Sequence, residues 1–174
     1  MALHQVRNSA ESLIDELGVL NPPVDVGDVA RRLGLRILYE KLETDVSGLL
    51  ITTKEGANIV VQGSDAKSRQ RFTIAHEIGH HHLSHHFEGG KHVHIDTSIS
   101  QRSSLSSTGL DIKEIEANQF AASLLMPTKL IRQQVESLKA DPLLDNHITE
   151  LAKKFGVSEQ AMTIRLSRLG LLKV

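Results

Sequence analysis

Residues 76–80 read His76-Glu77-Ile78-Gly79-His80, and this spacing constrains the chain more than any other stretch of it. Positions i and i+4 of a helix share a face, so both imidazoles can aim at one metal ion if the segment is helical. Glu77 is placed to reach a water held by that ion and to take its proton. The fold must therefore supply a helix here, a further ligand from another segment, and space for solvent between them. That combination points to metal-assisted hydrolysis of a peptide bond. Phe72, Ile74, Ala75 and Ile78 give the segment the periodicity of a helix buried on one side. Gly79 inside such a helix costs about 1 kcal/mol relative to Ala, which implies that something packs closely against its backbone.

The rest of the composition narrows the class. A chain of 174 residues is long enough for one domain with a true core, with a small appendage at most. There are no Cys residues, which excludes a disulfide framework and any thiolate-ligated metal site. The formal net charge of −1 gives no global attraction to nucleic acid or to an anionic membrane. No apolar stretch approaches the length of a membrane span. The polar start Met1-Ala2-Leu3-His4-Gln5 lacks a signal-peptide core, so a cytoplasmic location is expected.

Along the chain, residues 8–17 predict a short amphipathic helix closed by Gly18, and Val24 to Leu33 a second helix ended by Gly34. Leu35 to Tyr39 predicts a strand. Ser47 to Thr53 and Asn58 to Gln62, separated by Lys54-Glu55-Gly56-Ala57, predict a hairpin. Ser68 to about His85 is the helix of the His-Glu motif. Residues 87–110, with Gly89-Gly90 and a run of serines, read as a long flexible loop containing the alternating His92 and His94. A helix follows from Asp111 to Met126, stopped by Pro127, then another from Thr128 to Leu138, and short helices from Asn146 onward. The predicted fold class is α+β: a small mixed or antiparallel sheet packed against the motif helix and a second ligand-bearing helix. Residues 1–140 form that domain and 141–174 a helical C-terminal extension. In such folds the strand before the motif helix is a sheet edge that pairs with extended substrate, a place occupied here by Ile59, Val60 and Val61.

Two histidines do not complete a catalytic metal site. His86 falls where some zinc peptidases place a third His, but that pattern needs a Gly at position 83, and Leu83 stands there. On an uninterrupted helix His86 points about 80° away from His76 and more than two turns off. The other source is a carboxylate from the helix Ile115-Glu116-Ala117-Asn118-Gln119-Phe120. Glu114 and Glu116 both qualify, and periodicity does not choose between them. His81, His82, His85 and His86 read as a polar helix face.

The run Arg69-Gln70-Arg71-Phe72-Thr73-Ile74-Ala75-His76-Glu77-Ile78-Gly79-His80, followed after a variable loop by Glu114-Ile115-Glu116-Ala117-Asn118-Gln119-Phe120-Ala121-Ala122-Ser123-Leu124-Leu125-Met126-Pro127, resembles the ImmA/IrrE family of metallopeptidases. The resemblance is close over residues 47–127 and loose in the flanks. It implies a zincin-like domain with a gluzincin-like Zn²⁺ site: His76 and His80 as ligands, Glu77 as base and Glu116, of the Glu-Ala-Asn segment, as third ligand. Glu114 and Asn118 would orient those ligands. It further implies a narrow-specificity regulatory endopeptidase that cleaves a helix-turn-helix repressor, an anti-repressor controlling mobile-element or stress-response genes.

The tail offers an alternative. Ile148 to Leu166 resembles a helix-turn-helix, with Gly156-Val157-Ser158 at the turn, and residues 146–174 carry a local net charge of about +3. Gln160, Thr163, Arg165 and Arg168 are the side chains available to read bases. The expectation is a cap on the core or a docking element for the repressor, with DNA binding as the alternative. Nothing in the sequence fixes an oligomeric state.

Overall fold

Alternating β-branched and apolar residues build most of a four-stranded sheet in a computed structural model that describes residues 1–43, 45–53, 56–85, 92–97, 108–139 and 143–172. Its strands are β1 (Leu35–Glu40), β2 (Val46–Thr53), β3 (Gly56–Gln62) and β4 (His92–Thr97), in the order β1-β3-β2-β4. The expected hairpin is present: β2 and β3 pair antiparallel, Leu50 opposite Ile59 and Thr53 opposite Gly56. β1 lies parallel to β3, and β4 antiparallel to β2.

This topology corrects two expectations. Ile59, Val60 and Val61 are not on a sheet edge. Each has partners on both sides: Ile59 lies between Ile37 and Leu50, Val60 between Leu38 and Leu49, and Val61 between Tyr39 and Gly48. Among the described residues the edges are β1 and β4. The second correction concerns 87–110, read as loop throughout. Residues 92–97 are strand, and the following helix begins at Thr108.

Among the described residues there are seven helices: α1 (Leu3–Glu16), α2 (Val26–Arg32), α3 (Lys67–His82), α4 (Thr108–Leu125), α5 (Thr128–Leu138), α6 (Asp145–Phe155) and α7 (Glu159–Arg168). The Asp25 carboxylate accepts from the backbone N–H groups of Gly27 and Asp28 and starts α2. α3 packs on β2 and β3 with one face and on α4 with another, while α4 also packs on α1. No helix among the described residues is long and apolar enough to cross a membrane.

α3 ends earlier than expected. Ser84 adopts φ +53°, a left-handed conformation uncommon outside glycine. The N–H of His85 then returns to the His80 carbonyl at 3.0 Å and that of Ser84 to His81 at 3.1 Å, closing the helix. His85 thereby leaves the helical face on which the sequence places it.

The C-terminal helices share the common core. Leu151, Ala152, Phe155, Met162 and Leu166 are buried in one cluster with Ile74, Ile78, Phe120 and Leu124. Gly156, at φ +65°, caps α6, and Val157 N–H bonds Ala152 O. Ser158 accepts from Ala161 N–H and opens α7. Gly156-Val157-Ser158 is thus a C-cap followed directly by an N-cap, which fixes the sharp turn between these helices. Arg165 of α7 is 4% exposed; its Nε donates to Met126 O at 3.0 Å, and its Nη2 lies 3.4 Å from Glu11. The same Glu11 carboxylate accepts from Thr128 N–H at the start of α5, where the helix dipole favours a negative charge.

Arg71 of α3 ties these parts together. Its Nη2 donates to Val24 O at 2.9 Å and Phe155 O at 3.3 Å, and its Nε donates to Gly156 O at 3.1 Å. One guanidinium thereby satisfies carbonyls left over at the end of α6. Arg71→Met removes these bonds while keeping most of the aliphatic stem. The expected cost is about 2–3 kcal/mol, read as a lower denaturant midpoint with an unchanged slope.

Candidate metal centre

From Thr73 to His80 every residue of α3 is buried, because the sheet covers one side of this stretch and α4 the other. His76 is 2% exposed, and Glu77 and His80 are fully buried. Polar groups held this deep must be compensated by partners.

Gly79 provides the close approach that its sequence position implied. A Cβ there would meet Phe120 at 3.2 Å and the Ala117 backbone Cα at 3.3 Å. α3 and α4 therefore cross with their backbones almost in contact, bringing α4 side chains within reach of His76 and His80. On the sheet side, Gly48 of β2 plays a related part. A Cβ on Gly48 would fall 2.3 Å from the Thr73 methyl and 3.8 Å from Glu77 Oε1, so β2 runs directly over the turn that carries Glu77.

The two imidazoles point Nε2 toward Nε2, 3.0 Å apart. Glu114 completes a triangle: Oε2 lies 3.2 Å from His76 Nε2, and Oε1 lies 3.2 Å from His80 Nε2. One ligand atom from each of the three residues can be chosen so that all lie within 4.8 Å of one another.

Where the protons sit follows from the outer partners. Asn118 Oδ1 lies 3.1 Å from His76 Nδ1, and an amide oxygen only accepts, so His76 Nδ1 carries the hydrogen. On the other ring, Glu116 Oε2 lies 3.0 Å from His85 Nε2, which therefore donates to it. In neutral His85 the Nδ1 is then an acceptor, 2.9 Å from His80 Nδ1, which donates in turn. In these tautomers each Nε2 turns a lone pair toward the other ring and toward the Glu114 carboxylate. Gathered at 3.0–3.2 Å, these three groups form a set of ligand atoms that one cation can share. The spacing also suits one: donor atoms about 2.0–2.1 Å from a tetrahedral zinc ion are separated by roughly 3.3 Å. The donor set, two imidazoles and a carboxylate, is one that zinc accepts and that leaves a fourth position open.

The carboxylate that converges on the imidazoles is thus Glu114, not Glu116 as the resemblance implied. Glu116 is turned to His85 and to the Met1 amino group. Burial alone would raise its carboxyl, but the hydrogen bonds from that amino group and from His85 outweigh this and hold it below the usual value. Asn118 lies against His76, in the position expected of a residue that orients a ligand. Burial lowers the pKa of the His85 imidazole, with the hydrogen bond to Glu116 opposing. His82 lies 3.1 Å from Ser9 Oγ and stacks on Phe120, and burial lowers the pKa of its ring and that of His81. His82 therefore packs between α1 and α4, while His85 links His80 to Glu116. His86 lies outside the described residues. Tyr39 sits with its ring 5.9 Å from Lys67 Nζ, about two and a half helical turns before His76.

Comparison with known proteins agrees with this picture. Residues 30–167 match the family described as Peptidase_M78, IrrE N-terminal-like domain. An uncharacterized immunity region protein 2 of Bacillus phage phi105 is 24% identical over 128 residues, covering 74% of this chain and 72% of that protein. A Mycobacterium tuberculosis transcriptional regulator has a similar fold, with a TM-score of 0.62 at 19% identity over 94% of this chain. The chain spans less than half of that regulator, 46% of its length.

Alanine at His76, His80 or Glu114 should each abolish tight binding of one divalent ion per chain. Titration with Zn²⁺ should show losses larger than the roughly 10- to 100-fold typical of an outer partner.

Proposed function

We propose that this chain, which belongs to the Peptidase_M78 family of IrrE N-terminal-like domains, is a zinc-dependent endopeptidase of narrow specificity. The convergence of His76, His80 and Glu114 beside a buried Glu77 is the observation that carries this reading. When bound, the ion supplies Lewis-acid polarisation of the scissile carbonyl and lowers the pKa of water toward neutrality. Glu77 takes the proton of the attacking water and returns it to the leaving amine. Asn118 holds the His76 ring in the orientation its role requires.

Substrate is positioned along β4. This strand is an edge among the described residues, and its Asp96 pairs with Gly48, the residue that lies over Glu77. An extended peptide adding to that edge by main-chain hydrogen bonds runs beside the metal centre. The substrate class is a helix-turn-helix repressor, whose cleavage releases genes of mobile elements or stress responses. The phage immunity-region relative supports that class.

Glu77→Gln tests the chemistry. The variant should keep the metal and the fold and lose at least about 100-fold in cleavage of the repressor encoded beside the gene. Retained cleavage would remove Glu77 from the mechanism. Stoichiometric metal with no cleavage by the unaltered chain would move the weight to docking or DNA binding.

A second reading keeps the tail as a DNA-contacting element, supported by two short helices, α6 and α7, joined by a tight turn, with Gln160, Thr163 and Arg168 exposed. The burial of Arg165 among Met126, Glu11 and Thr128 withdraws one of the four side chains that could read bases. The full chain should accordingly show no salt-dependent binding to duplex DNA in a fluorescence anisotropy titration. A steep loss of affinity with rising salt would instead establish phosphate contacts.

A further inference from the structure

We propose that His85 and Glu116 form a positioning pair that holds His80 with its Nε2 lone pair turned inward and thereby sets the affinity of the site for a divalent cation. The inference rests on reading His76, His80 and Glu114 as ligands.

The two rings at the centre are supported differently. His76 meets the amide oxygen of Asn118 directly. His80 is supported through a second imidazole, 2.9 Å away, which ends on a carboxylate 3.0 Å further along. The chain runs from Glu116 to His85 to His80, with each link a hydrogen bond donated toward the carboxylate. A neutral imidazole can carry its proton on either nitrogen, and only one tautomer offers Nε2 as a donor to a metal. His85 decides between them because its Nδ1 is an acceptor, and it is an acceptor because Glu116 claims the hydrogen on its Nε2. A carboxylate at the far end also polarises both rings and makes His80 a stronger electron donor, as outer carboxylates do in other metal sites.

Its construction argues against an incidental contact. The side chains of His85 and Glu116 are each 7% exposed, so both groups are held out of water where an unmade hydrogen bond is costly. His85 reaches this place only because Ser84 adopts the left-handed conformation that folds the chain back over the end of α3. Glu116 arrives from α4, two residues beyond Glu114 and on a different side of that helix. The corner at Ser84, the ring of His85 and the carboxylate of Glu116 together fix the partner of one nitrogen, His80 Nδ1.

The test compares His85→Ala, His85→Asn and Glu116→Gln with the unaltered full chain. Zn²⁺ affinity is measured by competition with a chromophoric chelator, the visible absorption of the Co²⁺ form is recorded, and thermal unfolding of the metal-free proteins is followed separately. His85→Ala should weaken Zn²⁺ binding about 10- to 100-fold and change the Co²⁺ spectrum. Asn at position 85 places an amide oxygen where Nδ1 was, so it should restore most of the affinity and the spectrum. Glu116→Gln keeps an acceptor oxygen but no charge and should fall between the two. If His85→Ala and His85→Asn lose thermal stability alike while Zn²⁺ affinity and the Co²⁺ spectrum stay unchanged, the pair is only a structural tie and the proposal is overturned. Equal weakening by both variants would overturn the tautomer argument. Failure of the unaltered chain to bind one ion would remove the ligand reading itself, a result distinct from either.

Discussion

Two helices crossing with their backbones nearly touching set the distances in the candidate site. Gly79 on α3 and Ala117 on α4 admit that approach because one has no side chain and the other only a methyl group, too small to hold the axes apart. A side chain reaching from α4 to α3 spans only a few ångströms, which is why a short carboxylate arm can meet two imidazoles presented one helical turn apart. A wider crossing, at the 8–10 Å usual for helices with larger contact residues, would leave the carboxylate short. The cost of a glycine in mid-helix is offset by the geometry it allows.

Once the helices are that close, the chemistry of the interior is constrained by polar accounting. His76, His80, Glu77 and Glu116 are all buried, and each buried donor needs an acceptor. Asn118, His85 and Glu116 absorb the outer hydrogens, and the inner face is left with lone pairs and a carboxylate. That arrangement is well suited to a cation. Burial thus works in two directions here: it demands complete pairing on the outside of the cluster and concentrates electron density on the inside.

How far this was legible in the sequence depends on which physical signal each part left. The motif helix, the β2–β3 hairpin and the close contact at Gly79 announced themselves through local pattern. Strand β4 did not, because residues 92–97 lie between stretches rich in glycine and serine. The alternation Val93-Ile95 was its only trace. Missing β4 made β3 look like an edge. The identity of the converging carboxylate was hidden for a different reason. Glu114 and Glu116 are about 200° apart on a helix, and apolar neighbours flank both, so the choice rests on the phase of α4 against α3. Ala117 supplies that phase. The residue small enough to meet Gly79 is three positions after Glu114 and one after Glu116, and i, i+3 pairs share a face. The spacing of Glu114 and Asn118, four residues apart, carries the same information. The role of His85 had no local signal at all, since it depends on a left-handed residue that is not glycine.

Ser84 also limits how the protein can vary. The conformation at that position disfavours every side chain branched at Cβ and favours Gly, Asn and Asp. Small or amide-bearing residues suit this corner best, although the position belongs to neither the proposed ligand set nor the proposed substrate edge. Val or Ile at this corner would be strained in the conformation that brings His85 to Glu116. A site read from its ligands alone would miss the one exposed serine that keeps its architecture intact.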